Sequence, residues 1–168
     1  MSDKSSLAAP GATPGATPGT APAVHPSGAI PSNPRAVMGP KVDLPVDKEL
    51  VLKVIPMPAD CNANGDIFGG WVMAQVDLAG SVVPARYVDG RMATVAVNQF
   101  IFKQPVRVGD ILSFFAGVTR IGNTSITVQV EVFAERFRSQ GQFIKVTEAS
   151  LTYVAIDDQG RPRPIPKV

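Results

Sequence analysis

A chain of 168 residues, 45% of them apolar, has room for one domain of ordinary size. Its formal charge of +2, without a basic block, leaves no electrostatic footprint for nucleic acid. One cysteine, Cys61, excludes an intramolecular disulfide framework and fits a reducing cytosol, and no apolar run is long enough to span a bilayer.

Through Pro45 the chain holds nine of its sixteen prolines, no aromatic residue, and the small repeat GATPGATPGTAP. Such a segment cannot bury enough apolar surface to offset its ordering entropy. Residues 1–45 are therefore expected to form a disordered tail, and residues 46–168 a single folded domain. The tail has no continuous apolar stretch like that of a secretory signal and too little Arg for a transit peptide. It also carries the only histidine, His25. A Ser-His-Asp or Cys-His arrangement, or a His/Cys zinc site, is thus not expected in the domain. The glycine patterns of dinucleotide and P-loop sites are missing as well. Any catalysis falls to carboxylate, amide and backbone groups.

The domain opens on a β-branched-rich run, Leu50 to Ile55, closed by Pro56 and Pro58. Turn-formers follow at Asn62, Asn64, Gly65 and Asp66, then the pair Gly69-Gly70. A helical pattern runs from Trp71 to Arg86 with a single carboxylate, Asp77, about two turns in. A Gly-Gly before a helix is usually only a tight turn, and a lone helical Asp usually faces water. Here the glycines leave the first, unpartnered amides of the helix open to a ligand at its positive dipole end. Met73, Ala74, Val76, Leu78, Ala79 and Gly80 leave little polar surface on any side, so the helix is expected to be buried. A carboxylate in such a helix needs a partner or a task. Pro84 should end or kink the helix, and Gly80 leaves room for close packing.

From Arg91 onward the pattern is that of strands: Met92 to Phe102, Ile111 to Ile121, Thr124 to Arg138 and Phe143 to Ile156, with short turns between. Alternation is clearest from Ile126 to Val132 and slips at Phe133 and near Glu148, which predicts bulges. Long strands joined by short turns are antiparallel. The order of strand, one long apolar helix and antiparallel meander predicts an α+β domain in which the sheet curls round the helix.

Four segments together resemble the YciA-type acyl-CoA thioesterases of the hotdog fold: PADCNANGDIFGGWVMAQVD, FKQPVRVGD, GNTSITVQVEV and TYVAIDDQGRPRPIP. The resemblance runs from about residue 49 to 166. It implies a curved antiparallel sheet wrapped around one central helix, and hydrolysis of acyl-CoA to free acid and CoA without metal or organic cofactor; the reducing environment that suits Cys61 places this in the cytoplasm. It further implies homo-oligomers with active sites at a dimer interface, assembled as hexamers from three dimers. By the same resemblance Asp77 is the catalytic acid, acting as general base or nucleophile. Gly69 and Gly70 supply amides that polarise the thioester carbonyl, and Asn62 acts from the adjacent subunit to orient water or substrate. CoA phosphates call for basic and hydroxyl groups, with Arg91, Lys103, Arg107, Thr124 and Ser125 the leading candidates, and Arg120, Lys145 and Arg161 behind them. The chain departs from the family pattern at Gln104, where a basic residue is common before the proline, and at Asn98, where a glutamate is common. The competing reading is a sensor or scaffold that binds acyl-CoA without turnover.

Overall fold

The computed structural model describes residues 42–137, 139 and 141–166. The tail expected over residues 1–45 lies, through residue 41, outside the described residues. Strand β1 (Glu49–Val54) is followed by a single 3-10 turn at Pro58–Asp60 and by helix α1 (Gly69–Val82). Strands β2 (Met92–Phe102), β3 (Ile111–Ile121), β4 (Ser125–Glu135) and β5 (Phe143–Ala155) complete one five-stranded sheet. Its order is β1-β3-β4-β5-β2, and every neighbouring pair is antiparallel. No helix among the described residues is long and apolar enough to cross a membrane.

The helix begins at Gly69, two residues before the expected Trp71, because glycine tolerates the helix start as well as the turn. It stops at Val82. Pro84 has no N–H to give back to Gly80, and the chain tightens into a 3-10 turn over Pro84–Arg86. On its covered side α1 buries Val72, Val76, Ala79 and Gly80. These meet the inner face of the sheet, built from Leu112, Phe114 and Ala116 of β3, Val128, Val130 and Val132 of β4, and Leu151 and Tyr153 of β5.

Two sequence expectations are corrected here. The helix is not buried all round within one chain: Met73 is 41% exposed and Leu78 60%. A single sheet covers only one side of a cylinder, and the opposite stripe is left bare. Nor are the four later strands a simple meander. Only β3, β4 and β5 follow one another in space, while β2 crosses to the far edge and pairs with β5. The crossing segment, residues 103–110, is tied down along its length. Lys103 N and Gln104 N donate to Val146 O at 2.8 and 3.3 Å, Ile67 N donates to Val106 O at 2.8 Å, and Arg107 N donates to Asp110 Oδ2 at 2.9 Å. Buried Asp110 also receives Arg136, whose second guanidinium nitrogen donates to Pro105 O at 3.0 Å.

The expected irregularity at Phe133 has a definite form. Val132 pairs with Thr147 and Phe133 with Lys145, so β5 carries Val146 as its extra residue. Phe133 falls on the outer face of the sheet. It is covered there by Phe115, edge to face at 5.7 Å, and by the Lys145 ammonium at 5.9 Å from its ring centre.

Candidate active site

Asp77 points from α1 toward the paired strands β2 and β5. Thr94 of β2 and Tyr153 of β5 stand directly opposite each other in the sheet, and both reach the same carboxylate. Thr94 Oγ1 donates to Asp77 Oδ1 at 2.7 Å. The Tyr153 hydroxyl lies 3.0 Å from the main-chain carbonyl of Asp77 and 3.3 Å from Oδ1, so one proton serves two acceptors. Among the described residues nothing bonds to Oδ2. One carboxylate oxygen is anchored and the other is open. Burial first, and the neighbouring Asp77 carboxylate second, push the Tyr153 hydroxyl far above the usual tyrosine range. It therefore stays a donor at neutral pH.

The residues before the helix form a second cluster. Asn62 Oδ1 accepts from Asn64 N at 2.8 Å and from Asp66 N at 3.3 Å, while Asn62 N donates to Asp66 O at 2.7 Å. This side-chain-closed turn explains why an asparagine precedes the Asn-Gly pair. Gly65 takes φ +83°, a conformation that other residues rarely adopt. The amide oxygen of Asn62 is thus committed to the loop, and its Nδ2 donors have no partner among the described residues. Phe68 precedes the helix without providing a side-chain cap, which leaves the amides of its first turn uncapped. An open groove of about 300 Å³ lies against this corner, lined by Asn62, Asp66, Gly69, Phe102, Lys103 and Gln104 among others. Gly69 is packed tightly there: a Cβ on it would lie 3.2 Å from the tip of the Phe102 ring. A Cβ on Gly70 would meet only the Phe68 ring, at an ordinary contact distance of 4.0 Å.

The expected site residues thus fall into two groups. Asn62, Gly69 and Lys103 share the groove, with Arg107 just beyond it in the crossing segment. Asp77 lies eight residues along the helix from Gly69, about 12 Å at 1.5 Å per residue. Arg91, Thr124 and Ser125 sit at the other end of the sheet, where Ser125 pairs with Val154 and Met92 with Ala155. Arg91 donates there to the carbonyls of Asp157 and Asp158 at 3.3 and 3.1 Å, and Thr124 O accepts from Ala155 N at 2.9 Å. Lys103 is paired with Glu148 at 3.0 Å, and that bond is the main reason the Glu148 carboxyl is held below its ordinary range. Lys145 bridges Glu131 and Glu148, and Arg161 pairs with Asp157.

Thr94 and Tyr153 were missed by the sequence reading. A faint signal exists for each. Tyr153 shares the inward parity of Ala149 and Leu151, and a tyrosine on a core face needs a partner for its hydroxyl. Thr94 interrupts an otherwise apolar start of β2.

A five-stranded antiparallel sheet curled round one helix, with a helix carboxylate and a glycine-opened helix start, defines a hotdog-fold thioesterase domain. The family model of the Thioesterase superfamily matches residues 64–138. The acyl-CoA thioester hydrolase YciA of Salmonella typhimurium is 47% identical over 120 residues, covering 70% of this chain and 90% of that protein. YciA of Escherichia coli is 44% identical over 120 residues, covering 70% and 91%. Among solved structures, the hexameric thioesterase y2039 from Yersinia pestis superimposes with a TM-score of 0.69 at 46% identity, over 74% of this chain and all of that one. The chain belongs to the YciA family of acyl-CoA thioester hydrolases.

Proposed function

We propose that this protein hydrolyses acyl-CoA thioesters to free carboxylic acid and CoA, with Asp77 as the reacting carboxylate. The observation that carries the reading is the asymmetry of that carboxylate: Oδ1 is held by two hydroxyls and Oδ2 is open. Oδ2 either takes a proton from a water that attacks the thioester carbonyl or attacks that carbon itself, to be released by water in a second step. In both routes the carbonyl oxygen becomes an oxyanion, the C–S bond breaks, and CoA leaves as a thiolate that needs no dedicated acid. Amides at Gly69 or Gly70 stabilise the oxyanion, each worth roughly 3 kcal/mol by analogy with other enzymes. Asn62 Nδ2 donates to the carbonyl oxygen or to the attacking water.

Groups that act on one carbonyl must lie within about 3–3.5 Å of it. The helix separates Gly69 from Asp77 of the same chain by about 12 Å, so the reading requires two copies, with Asn62, Gly69 and Gly70 of one serving Asp77 of the other. Strand β2 offers the means. It is an edge strand of eleven residues with Val95 57% and Val97 46% exposed, and the bare helix stripe at Met73 and Leu78 is open as well. Unpaired edges of this length seek a second strand. Antiparallel pairing of two β2 edges brings the Thr94 end of one copy beside the Phe102 end of the other. It also gathers Arg91, Thr124 and Ser125 near Lys103 and Arg107, where they meet CoA phosphates. Hexameric y2039 supports a further assembly of three such dimers. We place this chemistry in the cytoplasm, where a lone thiol such as Cys61 stays reduced.

The test is thiol release from short-, medium- and long-chain acyl-CoAs by wild type and by Asp77→Ala. Turnover that collapses by about a hundredfold or more in the variant supports the reading. No turnover on any acyl-CoA, with CoA still bound, would overturn it in favour of a sensor.

A further inference from the structure

Tyr153 is 2% exposed, on the inner face of β5 between Thr94 of β2 and Ile126 of β4. Its phenol spans the gap between sheet and helix and ends on Asp77 alone among the described residues. Three residues further along the helix stands Gly80. A Cβ at that position would lie 2.5 Å from the Tyr153 oxygen, 3.3 Å from Val130 Cγ2 and 3.4 Å from Tyr153 Cζ. The first distance is shorter than any real Cβ contact, so a side chain on residue 80 and the phenol cannot both hold their places.

We propose that Tyr153 is a positioning residue for the Asp77 carboxylate, and that residue 80 is glycine so that the phenol can reach it. The proposal rests on the reading of Asp77 as the reacting group. Thr94 and Tyr153 are the side chains that meet the carboxylate among the described residues. Together they fix Oδ1, and with Oδ1 fixed the direction of Oδ2 follows. The phenol adds something that Thr94 does not. By touching the main-chain carbonyl of Asp77 as well as its carboxylate, it holds side chain and helix backbone to one point of the sheet. The side chain thereby loses freedom to turn about its first torsion, and its open oxygen is presented in one direction before substrate arrives. Tyr153 itself touches no reacting atom.

The first experiment is Tyr153→Phe, assayed by thiol release on whichever acyl-CoA the wild type turns over fastest. Turnover should fall about tenfold with little change in KM, the loss expected of one hydrogen bond to a charged group. The loss should fall on kcat and not on KM, because the phenol orients the reacting carboxylate and touches no part of the substrate. A purely structural role lowers the melting temperature and leaves kcat per folded enzyme near the wild-type value. The second experiment puts Gly80→Ala into both backgrounds and compares melting temperatures. With the hydroxyl gone, the added methyl meets only the 3.3 and 3.4 Å neighbours, so Gly80→Ala should cost clearly less beside Phe than beside Tyr. An unchanged kcat in Tyr153→Phe, or an equal cost of Gly80→Ala in the two backgrounds, overturns the proposal. Asp77→Ala run alongside separates the two failures: wild-type turnover there overturns the site reading and this proposal together. An inactive Asp77→Ala beside an unchanged kcat in Tyr153→Phe overturns the positioning role alone.

Discussion

At the scale of single residues, the hydroxyl of Thr94 is the shortest bond to the Asp77 carboxylate, at 2.7 Å. Its contribution is separable from the rest of the side chain. Thr94→Val keeps the β-branched shape that suits a strand and removes only the donor, while Thr94→Ser keeps the donor and removes a methyl. Thr94→Val should lower kcat by about tenfold or more through the lost charge-assisted hydrogen bond, and Thr94→Ser should stay near wild type. Steady-state thiol release from the two variants checks this, and equal losses in both would assign Thr94 to packing. The contrast shows why Asp77 was legible in the sequence and its partners were not. A carboxylate in an apolar helix announces an unmet need by its chemistry alone. The groups that meet that need stand 17 and 76 residues away, brought in by the pairing of β2 with β5, and no local pattern marks a threonine in a strand as different from its neighbours.

At the scale of elements, the segment between β2 and β3 decides where the groove lies. Residues 103–110 carry the chain past the ends of β5 and β4 and supply Lys103, Gln104 and Pro105 to the groove wall. Asp110 is the pin of this segment, with a side chain 3% exposed that accepts from Arg107 N and from Arg136. Asp110→Ala would leave the Arg136 guanidinium, 19% exposed, without its carboxylate and Arg107 N without an acceptor. The expected loss is about 2–3 kcal/mol of stability, read as a lower denaturant midpoint at unchanged slope, together with a raised KM as the groove wall loosens. The bounds of the elements were readable to within a few residues because prolines, glycines and alternation act locally: Pro56 follows β1, Pro84 follows α1, and Gly122 precedes β4. The strand order was not. Sequence separation alone suggested that β2 would lie beside β3. The arrangement that forms instead lets β5 pair on both sides, with Tyr153 opposite Thr94 on one and Ile126 on the other. The sequence showed that the helix was apolar nearly all round but not which side the sheet covers, and Met73 and Leu78 stay exposed on the other.

At the scale of the whole molecule, the separation of the two site halves along α1 makes a prediction that a one-chain site cannot share. If Asp77 of one copy works with Asn62, Gly69 and Gly70 of another, then two variants, each inactive alone, complement each other. Asp77→Ala removes the carboxylate half and leaves the loop half intact. Asn62→Ala opens the turn that Asn64 N and Asp66 N close on its side-chain oxygen, and so disables the loop half while leaving Asp77 in place. In a two-fold dimer formed from one chain of each kind, one site combines both lesions and the other combines neither. Random pairing of equal amounts makes half the dimers mixed, so coexpression of the two variants should restore about a quarter of wild-type turnover. Each variant expressed alone should stay near background. A site contained in one chain predicts no recovery at any mixing ratio, because every chain would then carry its own defect. A recovery that also vanishes with Leu78→Glu in both chains would tie the bare helix stripe to the same interface. Leu78 is 60% exposed in the single chain, so a charge there should leave the monomer fold intact and act only where two copies meet.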